Sequence, residues 1–366
     1  MISCSVIEKN HQTGAFSNGS VLDVVASVIR GTLPAKPGPA ETSYGLAAQV
    51  DAASGKRGRI QLSASVLDGD GINCAGCDAR VVRSTIKDTA KHPNDTRGII
   101  VGTMPATKER GRLAIDSSTV TRAATAGILV NDGAAWLSGV AILETAIGDG
   151  GVSGGITGYY DGKDEPTAIE VHSSRLEKNR IAGVLLLGGD LLVDSSLIAD
   201  GLPRPGDGFF GRGIQAQDQF GHTPEVVVRR SLLTRNFEAG ILGVGTHLVV
   251  EDSVLSKTKA GSIDQQLGDG IVLIASNQGA PGSADLARVL VSGSARAGVA
   301  NFGVAINLGV SKLECNAIAL NGEVWDGKKF TFSDLGENRC GCGAKPDEGC
   351  KVLSASLSPP GALAGN

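Results

Sequence analysis

One phrase recurs along the chain and limits what it can fold into. Ala168-Ile-Glu-Val-His-Ser-Ser174-Arg-Leu is followed by Asn179 and then by Ala182-Gly183-Val184. The phrase returns as Leu192-Val-Asp-Ser-Ser196-Leu-Ile, as Val228-Arg-Arg-Ser231-Leu-Leu with Asn236 and Gly240-Ile241, and as Val250-Glu-Asp-Ser253-Val-Leu. Each copy sets one aliphatic residue three before a serine and another two after it. That spacing is too short for a strand-helix-strand unit and has no helical period. It describes short strands joined by tight bends, one circuit per phrase. The architecture it predicts is all-β, a right-handed single-stranded parallel β-helix.

The serine falls at Ser5, Ser27, Ser65, Ser84, Ser118, Ser174, Ser196, Ser231, Ser253 and, loosely, Ser292, with weaker copies near Val140-Ala-Ile142 and Cys315-Asn-Ala-Ile318. Two series of Gly-aliphatic pairs keep a period of about 57 residues: Gly71, Gly127, Gly183, Gly240 and Gly298 in one, Gly45, Gly98, Gly155, Gly213 and Gly270 in the other. About twelve coils result, over residues 1–322. Parallel stacking brings like residues together, so the serines form a hydrogen-bonded ladder at a bend and not a row of nucleophiles. Glycine, 52 residues of 366, is at about twice its usual share and serves the bends. Trp325 and Phe330 suit a plug in a capping segment, 323–352, that carries a cysteine cluster, and the tail 353–366 reads as poorly ordered from its Ser, Pro and Ala content.

A net charge of -4 offers no basic stripe for a phosphate backbone, so nucleic acid is not an expected partner. No apolar run is long enough for a transmembrane helix. Met1-Ile-Ser-Cys-Ser5 opens in mid-phrase, without a basic and apolar leader or a cap. A segment upstream of Met1, carrying an export signal, is therefore expected, and with it an extracellular or cell-surface location. A truncated fragment of a longer surface protein is the alternative.

Cys74-Ala-Gly-Cys77 is expected to be a local disulfide; zinc would need a second pair at ribbon spacing. Cys315, Cys340, Cys342 and Cys350 are expected to form two bridges, with a four-thiolate zinc site as the alternative, and Cys4 is left over. Gly206-Asp-Gly208-Phe-Phe-Gly211 matches a dinucleotide fingerprint by letter, but no helix follows it. Asp68-Gly-Asp70-Gly-Ile-Asn73 resembles a calcium loop but has Ala79 at its twelfth position, so no metal site is assigned. His172, Arg229, Asp116, Asp194 and Glu251 share one outward phase and read as a solvated face, while His222 beside Asp218 is a weak acid-base pair.

Insertions at 103–110, 157–166, 217–224 and 275–285 fall at one phase, so one flank carries a wall of loops; a second set includes Gly201 to Gly211. The sheet between them forms a trough. Tyr159, Tyr160, Phe209, Phe210 and Phe220 flank it and are the candidate ligand-binding rings; Asp207, Arg212, Asp218 and Asp269 are the candidate catalytic groups, with Arg97 at the phase of Arg212 and Asp269. Rings with carboxylates and guanidinium groups suit a sugar polymer.

With the repeat laid out, the chain resembles the secreted right-handed β-helix superfamily that includes pectate lyases, polygalacturonases and alginate epimerases. The resemblance spans residues 3–322 and is carried by the Ser/Asn ladders and Gly-aliphatic strands. It implies action on, or binding of, acidic polysaccharide, with calcium as the cofactor in the lyase case and none otherwise. The chain departs from the enzymes: it has neither the Asn-Thr-Asp, Asp-Asp, His-Gly and Arg-Ile-Lys series of the hydrolases nor the Asp-Pro-His-Glu of the epimerases. Arg204-Pro205 with Arg212 is a faint echo of the lyase arginine motif. An exported scaffold that binds polysaccharide or cell-surface glycan is the first expectation; a polysaccharide lyase or glycoside hydrolase is the second.

Overall fold

A computed structural model describes residues 1–34, 43–89, 97–146, 154–163, 165–263, 266–343 and 350–361. Contacts divide the chain into two units, 1–179 and 180–366. Both are built from one rung: a five-residue strand, a two-residue bend, a three-residue strand, a loop, and a six-residue strand, as in Ala168–His172 and Arg175–Glu177 of the first unit or His247–Glu251, Val254–Ser256 and Asp269–Ile274 of the second. The three strand types form a first, second and third sheet, parallel throughout, with thirteen strands of each type against about twelve coils expected. The architecture is the right-handed parallel β-helix. Among the described residues no helix is long and apolar enough to cross a membrane.

Register explains the sequence rhythm. In the first sheet the second and fourth residues of each strand point inward, so Val228, Val250 and Leu286 make one file and Val226, Leu248 and Ala284 the next. All six are buried. The same holds in the first unit for Leu62, Val81, Ile115 and Leu137. β-Branched and leucine side chains fill this interior because each packs on its own kind one rung away.

The serine ladder is present. Ser5, Ser27, Ser65 and Ser84 each donate a backbone N–H to the hydroxyl one rung on, at 3.0–3.2 Å. Ser196 and Ser231 do so at 3.1 Å in the second unit. Each hydroxyl passes its own proton to the carbonyl two residues back, as Ser231 Oγ does to Arg229 at 2.8 Å. The residue before each serine takes a left-handed backbone, as at Ser195 (φ 51°), Arg230 (φ 50°) and Asp252 (φ 47°). Ser292 is a correction: it lies in the second sheet opposite Ser256, and the ladder position of its rung is Val289. Ser311 is the true member, accepting from Val289 N–H at 3.1 Å. A second ladder is made by asparagine: Asn236 accepts from Gly201 N–H at 3.0 Å and donates to Ile198 O at 3.1 Å, and Asn179 and Asn316 do the same in their rungs.

The two glycine series are one file in the third sheet. A Cβ on Gly213 would stand 2.4 Å from Gly240 O, and one on Gly240 would stand 2.5 Å from Gly270 O. The strands approach too closely there for any side chain. Segment 323–352, expected as a cap, supplies a further strand to each sheet: Thr331–Asp334, Arg339–Gly341 and Val352–Leu353. Cys315 is bonded to Cys342 and Cys340 to Cys350, which ties that rung down, and Cys74 is bonded to Cys77. Trp325 meets Phe302 edge-on at 6.2 Å.

Ser231→Ala removes both halves of a buried ladder step and strands the Ser196 N–H. A loss of about 1–3 kcal/mol in denaturant unfolding is expected. Ser292→Ala, outside the ladder, should change stability by less than about 0.5 kcal/mol.

Candidate functional site

The insertions at 103–110, 157–166, 217–224 and 275–285 follow third-sheet strands, but 157–159 and 217 belong to those strands and 283–285 to the next first-sheet strand, and 200–211 enters a third-sheet strand. In the second unit the sheet between them turns Leu242, Val272, Ile274, Ala300 and Phe302 outward, and all are buried. The chain's own tail covers part of this face. Leu357 packs on that cluster, and Pro360 is buried.

Backbone and side-chain bonds fix the tail from one end to the other. Glu323 accepts from Ser354 Oγ at 2.7 Å, Ala355 N–H at 2.9 Å and Leu357 N–H at 3.2 Å. Asn321 Oδ1 accepts from Ala355 N–H at 3.1 Å. Arg296 donates to Ser358 O at 2.9 Å and Arg212 to Gly361 O at 3.0 Å. The segment thus runs back across several rungs of the third sheet. Of the tail 353–366, expected to be poorly ordered, residues 354–361 make this set of bonds and 362–366 lie outside the described residues.

Each of the four candidate catalytic groups has a partner of its own. Arg212, 2% exposed, is paired with Glu238 at 2.7 Å and donates to Gln215 Oε1 at 2.7 Å. Burial pulls its pKa below the usual arginine value, opposed by Glu238; a guanidinium so paired remains charged. Asp269 is fully buried, accepting from Arg296 Nε at 2.9 Å and Ala297 N–H at 2.9 Å. Burial raises its pKa, and Arg296 pulls it back. Asp207 is bonded to Arg204 and to the Phe209 N–H, with Arg204 holding its carboxyl below the ordinary range. Asp218 accepts from the Ser276 hydroxyl; burial raises its pKa against that bond. His222, expected beside Asp218, reaches Asp190 at 3.1 Å.

The candidate rings are also divided. Tyr159 and Tyr160 are half-buried in the first unit; Phe209, Phe210 and Phe220 belong to the second. Phe210 is buried between the guanidinium groups of Arg204 at 4.9 Å and Arg212 at 4.8 Å, while Phe209 and Phe220 are exposed. Arg97 lies in the first unit, apart from the Arg212 and Asp269 rungs in sequence.

Two other motifs resolve into bends. Asp70 accepts from the Thr32 N–H at 3.2 Å in the interior, and Asp68 pairs with Lys87 at 3.1 Å. Gly206, Gly208 and Gly211 take left-handed backbones, at φ 102°, 70° and 86°, in the loop closed by Arg204 N–H to Phe209 O. Among the described residues no three His, Cys, Asp or Glu side chains stand together as metal ligands. Asp194, Arg229 and Glu251 form one file in register, but Asp194 is buried, paired with Arg229 at 3.2 Å and Arg230 at 2.5 Å, so the expected solvated face is closed at that rung. The spacing missed Trp136, exposed on the first sheet in register with Ala114 and Arg80. Stacking the strands on paper would have found it.

No family model and no curated protein matches the chain in sequence. Solved structures do match in fold. The periplasmic alginate epimerase AlgG aligns with a TM-score of 0.53 at 9% identity, over 93% of this chain and 76% of that one. A threonine-to-asparagine point mutant of that epimerase aligns at 0.54 and 8% identity, over 92% and 76%. Pectate lyase Pel9A aligns at 0.45 and 16% identity, over 83% and 75%. At these identities the likeness is one of fold.

Glu323 gives the tail a pH dependence. Burial works against its charge, yet the bonds from Ser354, Leu357, Asn321 and Ala355 together hold its carboxyl below the ordinary range. A depressed carboxylate contributes fully above its unfolded-state pKa and loses that contribution as pH falls through its folded-state pKa. Hydrogen exchange of 354–361, corrected for intrinsic rates, should show protection at neutral pH that disappears on acidification below the ordinary carboxylate range. Glu323→Gln should lower the protection at neutral pH as well. Protection independent of both would contradict the assignment.

Proposed function

We propose that the protein is an exported, disulfide-stapled β-helix that binds glycan as a surface or extracellular scaffold and has no polysaccharide-cleaving chemistry of its own. One observation carries the reading. The charged groups that a lyase or hydrolase would need in the third-sheet trough are engaged by Glu238, Arg296, Arg204 and Ser276, and the chain's own tail bonds to two of the arginines there. Both reaction types require acid and base groups within reach of the scissile bond. The three disulfides support an oxidising compartment. The fold shared with an alginate epimerase supports polysaccharide as the partner class by analogy.

The full-length protein, incubated with alginate and polygalacturonate with and without calcium, is expected to give no unsaturated product, no new reducing ends and no change in uronate stereochemistry. Turnover in any of the three assays, abolished by Arg212→Gln or Asp269→Asn in a folded protein, would overturn the reading.

A further inference from the structure

The first sheet of the first unit carries a second surface, with charges of a different kind. Its outward files follow from the register: Arg59, Asp78 and Arg112 in one, Gln61, Arg80, Ala114 and Trp136 in the next. Arg59, Gln61, Asp78, Arg80, Arg112 and Ala114 line an open groove of about 400 Å3. Arg59, Arg80 and Arg112 are exposed. Arg80 and Arg112 make no ion pair and no side-chain hydrogen bond among the described residues.

The carboxylates nearby are engaged except Asp23, which adjoins Gln61 in the Arg80 file and keeps one oxygen without a hydrogen-bond partner. Asp78 accepts from Arg57 at 2.9 Å and lies 3.8 Å from Arg59 Nε, and Arg57 also holds Glu109 at 2.6 Å. Asp116 accepts from Ser117 at 2.6 Å, and Glu170 is 3.0 Å from His172. The groove floor is therefore flat backbone and small side chains with a surplus of guanidinium. At its far side Trp136, 42% exposed, stands one strand beyond Ala114, its ring 6.0 Å from that of His172.

We propose that this face binds an acidic polysaccharide, a linear uronate polymer lying across the strands. Carboxylates meet Arg59, Arg80 and Arg112, and one pyranose ring rests on Trp136. Three features favour that occupant. Guanidinium forks match carboxylates in a plane, and an indole face takes the apolar side of a sugar ring. The step between paired strands, about 4.8 Å, is close to the length of one pyranose residue in a linear chain, so charges repeated along the polymer meet arginines repeated by rung. The proposal rests on the glycan-binding reading for its class of ligand and adds the face and the charge; it does not depend on the trough or the tail.

Binding by the full chain to polygalacturonate and alginate oligosaccharides, with a neutral galactan and single-stranded DNA as comparisons, is the test, by calorimetry at two salt concentrations. Uronate binding that weakens with salt is expected. Arg80→Gln with Arg112→Gln should weaken it at least tenfold, and Trp136→Ala several-fold. Arg288→Gln, at an exposed arginine paired with Asp252 in the second unit, should leave it unchanged. Circular dichroism and thermal unfolding establish that each variant folds; if Trp136→Ala does not, the double arginine variant decides. Uronate binding unchanged in that double variant overturns the site while leaving glycan binding in place. Preference for galactan or for DNA over uronate overturns the ligand class, and no binding to any polysaccharide overturns both readings.

Discussion

Parallel pairing in register governs this protein. When the same strand recurs one rung on, each residue meets its counterpart, and every position becomes a file subject to one rule. A file of inward valines and leucines packs; a file of serines bonds hydroxyl to amide; a file of glycines lets backbones close to distances at which a Cβ would collide. Where charges stack, opposite signs alternate, as in Asp194, Arg229 and Glu251 or in Arg59, Asp78 and Arg112. The bend between first and second sheets shows the economy of the scheme. A serine accepts from the rung before it and donates to its own chain, so one side chain satisfies two buried backbone groups and holds a left-handed residue in place.

What was legible in the sequence is what repeats. The ladder, the glycine file, the phase of the loops and the Cys74–Cys77 bridge follow from spacing or from pairing rules that act locally or rung by rung, whereas the pairing of the four C-terminal cysteines does not. The lapses occur where the repeat is broken. Val140 and Val289 stand where a serine would; the second break moved the match to Ser292, three residues away, and hid Ser311. Equally hidden were contacts that no period encodes. Arg212 finds Glu238 at a separation of 26 residues and Gly361 at 149, partners to which its nearness in sequence to Asp207 and Asp218 does not point. Trp136 was legible in principle, but only after the register had been fixed rung by rung.

The same geometry separates charges that hold structure from charges that face a ligand. Arg212, Arg296 and Asp269 are desolvated and coupled to partners, and a buried pair of this kind is strongly destabilised when either member is removed. The perturbed pKa values of Arg212 and Asp269 come from that burial and from the partners beside them. Arg80 and Arg112, by contrast, stand on a sheet face with their guanidinium groups turned to solvent.

The register itself can be tested by oxidative crosslinking of paired cysteine substitutions, read by mass spectrometry. Val227 and Val249 face outward as direct partners on adjacent strands, whereas Val250 points into the core. Val227→Cys with Val249→Cys should crosslink readily, and Val227→Cys with Val250→Cys should not. Efficient crosslinking of the offset pair with none in the direct pair would show that the files do not stack as described.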